Sequence, residues 1–482
     1  MLRVRVARTS ELAAARHHVT MRRSDTDEYH SVLLYSFAGD GKADYYCMEA
    51  TCPHLGAPLE NAHVEQAPDD VEDLVVVCPW HQYDFSLSTG ESSTGLKSCV
   101  YAVTVHDDEV FIEPPTLDEK DGESVWQIIN VRPVSEAFAD IKAAEPATHS
   151  HAAADAHSGR VDVDAAASFD PSTIPPPDPK PRTLIAWAVL ILNTADPLTK
   201  VAYTRYAGDA FRNGECRVIG GSERADGTMN PAEVPPETPP RLDSEVCVAP
   251  GAEGKRGRGG TERSRIALLH SLANIEQWAI DLAWDIIARA PRLAARMPGK
   301  IRMPVHFFSD FVKVACDEAK HFTLLQRRLL EMGSYFGALP VHHGLWQSAI
   351  ETADDLLARL SIIHLVHEAR GLDVNPVTIK KFATAGDTRS VESLTVIHLD
   401  EITHVSAGHR WLTYLCQQHD PPLDPVNTFR SCVHHNFVGR LKGPFNAQDR
   451  ATAGLSPAWY EGLVGEKEST RRGVARAEVP GG

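Results

Sequence analysis

The chain has 482 residues, a mass of 52.8 kDa and a formal net charge of −17 at pH 7. At roughly 100–200 residues per domain, this length predicts two to four domains. Hydrophobic and charged fractions of 43% and 23% exclude a collagen-like or wholly disordered chain. The net negative charge disfavours binding to nucleic acid, because a nucleic-acid-binding protein needs a basic face to neutralise the phosphates. Histidine is unusually frequent, with 23 residues, and points to metals.

The sequence carries no membrane span, because no window reaches the ~18–20 apolar residues that cross a bilayer. The longest apolar run, 184–192, has nine residues and fits a buried strand or a short helix. The N-terminus lacks the apolar core of a signal peptide, so we expect a cytoplasmic protein. A mitochondrial presequence is the alternative, on the basis of Arg3, Arg5, Arg8 and Arg16.

Residues 1–120 are predicted to form a small all-β domain. Its strands are marked by short β-branched or aromatic runs at 32–37, 74–78, 100–105 and 110–112. Turns are expected at Gly39–Gly41 and at Asp107-Asp108. Between 67 and 73 an acidic insertion suggests a surface excursion.

The rest of the chain is predicted to be a flexible linker followed by an all-α domain. Residues 121–182, rich in Ala, His, Asp and Pro, would leave the β domain mobile. Residues 183–262 are the mixed first part of the second domain, 263–465 form a four-helix bundle, and 466–482 are a disordered tail. Apolar residues at helical spacing place the four helices at 263–290, 305–333, 346–371 and 388–418. Pro304 is the expected start of the second helix, and Gly333 and Gly371 are the expected ends of the second and third.

Two short metal-binding motifs stand in the β region. Cys52-Pro-His54 and Cys78-Pro-Trp-His81 offer two thiolates and two imidazoles on tight turns. A zinc ion also accepts this donor set, but C-x-H fits zinc-finger spacing poorly. A [2Fe–2S] centre in which two cysteines hold one iron and two histidines the other fits the spacing better.

About 100 residues around these motifs resemble the Rieske ferredoxin family. Gly56 after the first motif, and Thr89-Gly90 after the second, match the family's pattern. The resemblance implies a [2Fe–2S] cluster held by Cys52, His54, Cys78 and His81. The respiratory type adds a disulfide between the two loops, and Ala57 and Trp80 stand at those positions. The resemblance is therefore to the ferredoxin subtype found in oxygenase electron chains.

A second ligand pattern runs through the four predicted helices. Two of them carry E-x-x-H pairs, and the other two each offer one glutamate with apolar neighbours. Side chains at i and i+3 project from one helix face. In chain order the candidates are Glu276, Glu318, His321, Glu368, Glu401 and His404. This order is the ferritin-like dinuclear arrangement, in which four carboxylates and two imidazoles hold a pair of iron ions, or a manganese and an iron ion. A third match, Glu60 to His63, lies in the β region and is expected to be chance.

Residues from about 184 to 463 also resemble an uncharacterised ferritin-like family, catalogued as a domain of unknown function. The motifs that carry the resemblance include Asp317-Glu-Ala-Lys-His-Phe322, Glu368-Ala-Arg-Gly-Leu-Asp373 and Asp400-Glu-Ile-Thr-His-Val405. The resemblance implies the fold and the metal ligands, but no substrate. Small subunits of class I ribonucleotide reductase have a similar ligand set and store a tyrosyl radical. Leu325 stands at the tyrosine's position, which disfavours radical storage.

Several polar residues near the helical motifs have roles that the sequence leaves open. Asp317 and Asp400 each precede a glutamate of an E-x-x-H pair, and fit either a hydrogen bond to a ligand histidine or an exposed salt bridge. His364 lies one turn before the third-helix glutamate and fits an additional ligand, an orienting partner or a core histidine. His270 and His367 are expected to pack or to orient ligands.

The two motif sets together predict an O₂-dependent di-iron oxygenase, a hydroxylase or N-oxygenase of a small organic substrate. A monooxygenase needs two external electrons per turnover, and a Rieske cluster carries one at a time. The sequence has no G-x-G-x-x-G dinucleotide fingerprint, so the expected donor is a separate NAD(P)H-dependent flavin reductase or similar protein. The alternatives are a ferritin-like redox protein that reduces O₂ or peroxide, and an electron-transfer protein without an organic substrate. A Rieske oxygenase with mononuclear iron is disfavoured, because it would need a different catalytic domain.

Overall fold

The structure, a computed structural model, describes residues 3–38, 43–67, 73–115, 126–134, 170–221, 228–249, 257, 259–437 and 440–463. Strands occupy the first part of the chain. They are β1 Val4–Arg8, β2 Arg16–Arg23, β3 Tyr29–Ala38, β4 Ala43–Glu49, β5 His63–Gln66, β6 Leu74–Val77, β7 Asp84–Ser86, β8 Val100–Tyr101, β9 Val103–His106, β10 Glu109–Ile112 and β11 Trp126–Pro133. The predicted all-β domain is confirmed.

The strands form three antiparallel sheets. The largest has the order β11-β2-β3-β4-β8, and the two others have the orders β1-β10-β9 and β5-β6-β7. The predicted run 100–105 divides at Ala102, so that β8 pairs with β4 and β9 pairs with β10. The predicted turn at Asp107-Asp108 joins β9 to β10, with φ of 50° and 63° at its two residues. The expected turn at 39–41 lies outside the described residues, as does most of the insertion at 67–73.

The predicted linker, 121–182, is wrong in one respect. Residues 126–133 form β11, which pairs antiparallel with β2 from Trp126 opposite Arg23 to Pro133 opposite His17. This strand carries buried Trp126 and Ile129 and therefore has its own share of the β core. Its flanks are polar or Ala/His-rich, so the run is easily taken for linker. Residues 135–169 lie outside the described part of the chain, and the other predicted domain limits remain predictions.

The second half of the described chain is helical, as predicted. Its helices are α1 Leu184–Leu192, α2 Pro197–Arg212, α3 Glu262–Arg296, α4 Val305–Glu331, α5 Gly344–Glu351, α6 Leu356–Ser361, a π-helical turn Ile362–His367, α7 Glu368–Thr384, α8 Thr388–Gln418, α9 Pro425–Asn436, α10 Ala447–Thr452 and α11 Pro457–Tyr460. The nine-residue apolar run is thus a helix, with the Thr183 hydroxyl capping its start. None of the helices in these residues is long and apolar enough to cross a membrane.

Three of the four long predicted helices correspond to α3, α4 and α8, and the third in chain order differs from its prediction. Pro304 does precede α4, and Gly333 follows its end. The third helix was expected at 346–371, but the chain instead breaks after α5 and passes through α6 and the π turn into α7. Gly371 does not end this helix. It lies within α7, where a β-carbon would come 3.7 Å from the Glu401 carboxyl group.

The β and α domains share one hydrophobic core in the described structure. The Trp80 indole N–H donates to the Phe211 carbonyl over 2.8 Å, and the two rings lie 5.4 Å apart. Both side chains are at most 3% exposed. The β domain was expected to be mobile, and the structure instead has it packed against α2 and α4. Burial of this indole against α2 gives a physical reason for the docking.

A buried ion pair joins α2 to α3 and offers a test of the helical packing. Lys200 contacts Asp281 at 2.5 Å, and both side chains are fully buried. Burial lowers the pKa of Lys200 to about 8. We expect Asp281→Asn to destabilise the helical domain by about 3 kcal/mol, because a buried cation loses its partner. The measurement is the midpoint of thermal unfolding, with Glu215→Gln in the exposed Lys180 pair as the control. An equal midpoint for both variants would contradict the prediction.

Candidate metal centres

The two loops that carry the first motif are built alike. The first follows β4 and the second joins β6 to β7. Each loop turns back so that a later amide donates to the cysteine carbonyl, Gly56 to Cys52 and Gln82 to Cys78, both over 2.8 Å. These two donors have φ of 73° and 59°, a left-handed conformation that the turn requires at the same place in both loops. Gly56 therefore has the turning role that the sequence suggested.

The loops bring the four predicted ligands of the first centre together. The His54 and His81 rings lie 4.7 Å apart, and Cys52 and Cys78 are both buried. Both histidine Nδ1 atoms are buried without a hydrogen-bond partner. A metal ion would satisfy such atoms, so the residues fit an iron–sulfur cluster.

The zinc alternative fits this arrangement less well. A single ion needs its ligand atoms close around one point. Among the described residues, two compact groups of possible ligand atoms occur, and in each group every atom lies within 4.8 Å of the others. Neither group includes any of these four residues. The wider spread of the four suits a two-iron cluster.

The second set of predicted ligands converges in the core of the helical domain. Glu276 comes from α3, one E-x-x-H pair from α4, Glu368 from the first position of α7, and the other E-x-x-H pair from α8. Their ligand atoms form two groups, one of Glu276, Glu318, His321 and Glu401, the other of Glu318, Glu368, Glu401 and His404. Glu318 and Glu401 belong to both groups. The six side chains therefore outline two adjacent cation positions with two shared carboxylates.

The π-helical turn sits directly before one of these ligands. Residues 362–367 have the wider i→i+5 hydrogen bonding of a π-helix, and Glu368 is the first residue of the α-helix that follows. π-Turns of this kind are frequent at functional sites, because they re-aim the side chains beside them. Nothing in the periodicity of the sequence indicates this turn.

The two ligand histidines are oriented by a crosswise pair of aspartates. The Nε2 atom of His321 lies 3.1 Å from Asp400, and that of His404 lies 3.4 Å from Asp317. Each aspartate directly precedes one E-x-x-H pair in sequence and is within hydrogen-bonding reach of the histidine of the other pair. Of the two roles that the sequence left open for these aspartates, the structure supports the hydrogen bond to a ligand histidine.

With Nε2 held by an aspartate, each imidazole presents Nδ1 to the carboxylates. The Nδ1 atoms of His321 and His404 lie 3.2 and 3.0 Å from the two oxygens of Glu318. Several of these atoms lack a hydrogen-bond partner, namely Glu318 Oε1, Glu401 Oε2 and His404 Nδ1. Buried acceptors that face one another need a proton or a cation between them. The donor set thus fits two divalent ions, whose charge would balance four carboxylates.

The electrostatics of the site favour protons when no cation is bound. Burial raises the pKa of Glu276 and Glu368 well above the usual range, and the neighbouring carboxylates add to the effect. Burial alone would lower the pKa of His321 and His404, but the surrounding carboxylates outweigh it and hold both well above 6.5. Protons and metal ions therefore compete for these residues.

The other nearby histidines have different environments. His270 Nε2 accepts the Gly337 amide over 2.9 Å and stacks on Phe336, so it packs rather than ligates. His367 Nε2 lies 3.1 Å from the Ser348 hydroxyl. His364 is 2% exposed, with Nε2 unpartnered and Nδ1 4.0 Å from Glu368. Among the described contacts, none distinguishes its three predicted roles.

Three charged or aromatic residues near the two centres escaped the sequence analysis. Lys320 contacts both orienting aspartates, at 3.1 Å from Asp317 and 2.6 Å from Asp400. Arg132, on β11, contacts Asp317 at 3.0 Å. Phe211 receives the hydrogen bond from Trp80 described above. Lys320 lies inside the first E-x-x-H motif and could have been noticed, whereas the other two depend on contacts between domains.

Comparison with known proteins also finds two domains in the chain, an N-terminal one and a C-terminal one. Residues 193–461, which contain all six helical ligand candidates, match the model of a family described as Protein of unknown function (DUF455). The chain belongs to the DUF455 family. An uncharacterized protein of Haemophilus influenzae is 35% identical over 214 residues, which are 44% of this chain and 72% of that protein.

The DUF455 region is preceded by a second recognised domain. Residues 3–98, which include both cysteine–histidine loops, match the Rieske [2Fe–2S] domain. A Rieske domain-containing protein of Homo sapiens is 29% identical, over 15% of this chain and 54% of that protein. A solved structure from Mycobacterium tuberculosis, described as the small subunit of an NADH-dependent nitrite reductase, is 16% identical over 24% of this chain and 97% of that chain, with a TM-score of 0.20. The Rieske domain supports a [2Fe–2S] cluster and a redox role through electron transfer.

The ligand assignment predicts a selective loss of metal. We expect His321→Ala to remove metal from the helical site and to leave the Rieske absorbance and EPR signals unchanged, because the two sets share no residue. Metal analysis and EPR of the purified variant give the measurement. His270→Gln is the matched control, since it changes a buried histidine on α3 that packs against Phe336. Wild-type metal content at the helical site of His321→Ala would contradict the assignment.

The raised pKa values predict that metal binding depends on pH. Carboxylates and imidazoles must lose their protons to bind a metal, so binding releases protons. Because the pKa values of Glu276, Glu368, His321 and His404 are all raised, affinity should increase as pH rises. We expect Mn²⁺ affinity to grow at least about tenfold from about pH 5.5 to about pH 7.5. Calorimetric titration in buffers of different ionisation enthalpy measures both affinity and proton release. An affinity independent of pH would show that other groups bind the ion.

Proposed function

We propose that this DUF455 protein is an O₂-dependent oxidoreductase in which a Rieske cluster supplies electrons to a dinuclear iron site. The observation that carries the proposal is the convergence of six predicted ligands into two groups that share Glu318 and Glu401. Such a donor set, in a ferritin-like helical domain, is typical of paired iron ions. The function that this donor set supports best is oxygenation of a small organic substrate.

The bound groups would divide the chemistry between them. When bound, the [2Fe–2S] cluster would carry single electrons, and the iron pair would reduce and activate O₂. The protein's own residues position and shield these groups. Asp317 and Asp400 keep the Nε2 protons of the ligand histidines, which leaves Nδ1 free to bind metal. Helices α3, α4 and α8 exclude water, since their ligand side chains are at most 9% exposed.

The contact between the domains supports the proposed direction of electron flow. Trp80 lies between the cluster ligands Cys78 and His81 in sequence, and its indole packs on Phe211 at the end of α2. The next residue, Arg212, reaches α4, where its guanidinium lies 3.3 Å from the Cys316 thiol. Cys316 stands two positions before the ligand Glu318. The cluster loop is thus linked to a helix that carries metal ligands by consecutive packed residues.

The source of electrons lies outside the chain in this proposal. The sequence has no dinucleotide fingerprint, so a separate NAD(P)H-dependent flavin reductase or similar protein would reduce the Rieske cluster. The first cluster loop leaves Leu55 55% exposed next to His54, which gives such a donor an apolar contact beside a cluster ligand.

A second candidate function is reduction of O₂ or peroxide without an organic substrate. A hydroxylase needs a chamber for its substrate beside the metal ions. The cavity of about 210 Å³ between the domains is lined by polar residues such as His18, Glu60 and Lys313, and by none of the six ligand residues. This cavity is therefore not a substrate chamber at the helical site, and a reaction of O₂ or peroxide alone would need no such chamber.

Reoxidation of the cluster tests the proposed electron flow. Iron-loaded protein is reduced with dithionite, freed of excess reductant without oxygen and mixed with O₂, and the Rieske absorbance is followed. We expect wild-type protein to reoxidise at least about tenfold faster than His321→Ala, because the variant lacks the helical acceptor. Equal rates in wild type and variant would overturn the proposal.

A second variant separates electron entry from the chemistry of the helical site. Cys78→Ser removes a cluster ligand and leaves the six helical ligands unchanged. It should lose O₂ consumption driven by NAD(P)H and a flavin reductase, but keep reactions driven by added peroxide. Incorporation of ¹⁸O from labelled O₂ into an organic product supports the oxygenase, and conversion of O₂ to water alone supports the second candidate.

A further inference from the structure

One charged contact crosses from the β domain to the helical metal site. Arg132, near the end of β11, points its guanidinium at both carboxylate oxygens of Asp317, at 3.2 and 3.0 Å. The two side chains are 22% and 8% exposed. Both contacts come from one nitrogen, Nη1, and a charge-assisted hydrogen bond of this kind is stronger than one between neutral groups, so it restrains the carboxylate.

The carboxylate that Arg132 holds is one of the two that orient ligand histidines. Asp317 Oδ2 lies 3.4 Å from His404 Nε2 and 3.0 Å from Arg132 Nη1. Lys320 is the other close cation, but it is shared with Asp400. Lys313 is farther away, at 4.0 Å. Of these three cations, Arg132 is the one that lies close to Asp317 and forms no other ion pair among the described contacts. It belongs to the β domain, whereas the two lysines belong to the helical domain.

We propose that Arg132 is a positioning residue of the helical metal site, so that docking of the β domain completes the surroundings of His404. This inference rests on the proposed function, because it takes His404 as a ligand. Arg132 holds Asp317 in place, and Asp317 holds the Nε2 proton of His404. The imidazole then presents Nδ1 toward Glu318 and the metal position.

A thermodynamic consequence follows from this arrangement. If docking raises metal affinity, metal binding must strengthen docking by the same factor, because coupling between two sites is reciprocal. The helical site would then bind metal best when the Rieske domain is in place to reduce it. An interface salt bridge without this role would affect docking but not metal affinity.

The test is a Mn²⁺ titration of the full chain, followed by the EPR signal of the free ion, with the Rieske spectrum as an internal reference. We expect Arg132→Gln to weaken Mn²⁺ binding about tenfold, the lower end of the effect of removing an outer partner of a metal ligand. Arg132→Lys keeps a cation and should recover part of the affinity. Wild-type affinity in Arg132→Gln would overturn the inference.

A matched control separates metal positioning from docking. Tyr29→Phe removes a hydrogen bond of 2.9 Å between the hydroxyl of Tyr29 on β3 and His409 Nδ1 on α8, at the same domain interface. Neither residue touches Asp317 or the six ligands in the described contacts. This variant should keep the wild-type Mn²⁺ affinity. An equal loss in both variants would mean that docking in general, rather than Arg132, sets the affinity, and would also overturn the inference.

Two further outcomes keep the conclusion clear. If Arg132→Gln does not fold, Arg132→Lys alone decides: it should bind Mn²⁺ more weakly than wild type because the shorter ammonium cannot reproduce the guanidinium contact, and wild-type affinity there would contradict the inference. Hydrogen exchange of β11 gives an independent readout: Mn²⁺ should slow it in wild type and not in Arg132→Gln, and no slowing in wild type would contradict the reciprocity. If the wild type itself binds no metal at the helical site, the proposed function is wrong. If the wild type binds metal and Arg132→Gln binds it equally well, only the inference about Arg132 is wrong.

Discussion

Four carboxylates buried in one helical core are the constraint on which this molecule depends. The nearby lysine and arginine side chains do not neutralise them, because Lys320 pairs with Asp317 and Asp400, and Arg132 pairs with Asp317. Among the described ion pairs, only histidines contact the ligand glutamates. Isolated buried charges are too costly to persist, so such a core takes up protons or cations. The surrounding fold accommodates this need. The π turn directly precedes the helix that begins at Glu368.

Docking of the β domain gives the two centres a fixed relationship. One hydrophobic core runs from the cluster loops into the helices, and it includes Cys52, Cys78 and Trp80 together with Phe211. In a docked domain the distance between the two centres is fixed and does not depend on linker length. A domain held only by a flexible tether would instead reach its partner by diffusion. Tethering could still raise the local concentration of a domain that undocks.

The same interface joins the candidate cluster site to the candidate metal site of the helical domain. The second cluster loop contacts α2, which packs against α4, and strand β11 contacts α4 itself, the helix that bears the first E-x-x-H pair. In the proposed function, docking of the Rieske domain would place the electron donor beside the helical site whenever that site is complete. That arrangement suits chemistry with O₂, in which an incompletely reduced site would release reactive products.

The amino-acid sequence alone was enough to predict the two domains, the class of each and ten candidate ligands, because these follow from local spacing. C-x-H and C-x-x-H place donors on tight turns, and E-x-x-H places two donors on one helix face. The tertiary structure decided what depends on contacts between distant residues. These are strand β11 inside the expected linker, the crosswise pairing of Asp317 and Asp400 with the histidines, and the docking through Trp80. Local periodicity carries no information about which distant side chains meet, and that is why Arg132 could be recognised only in the folded chain.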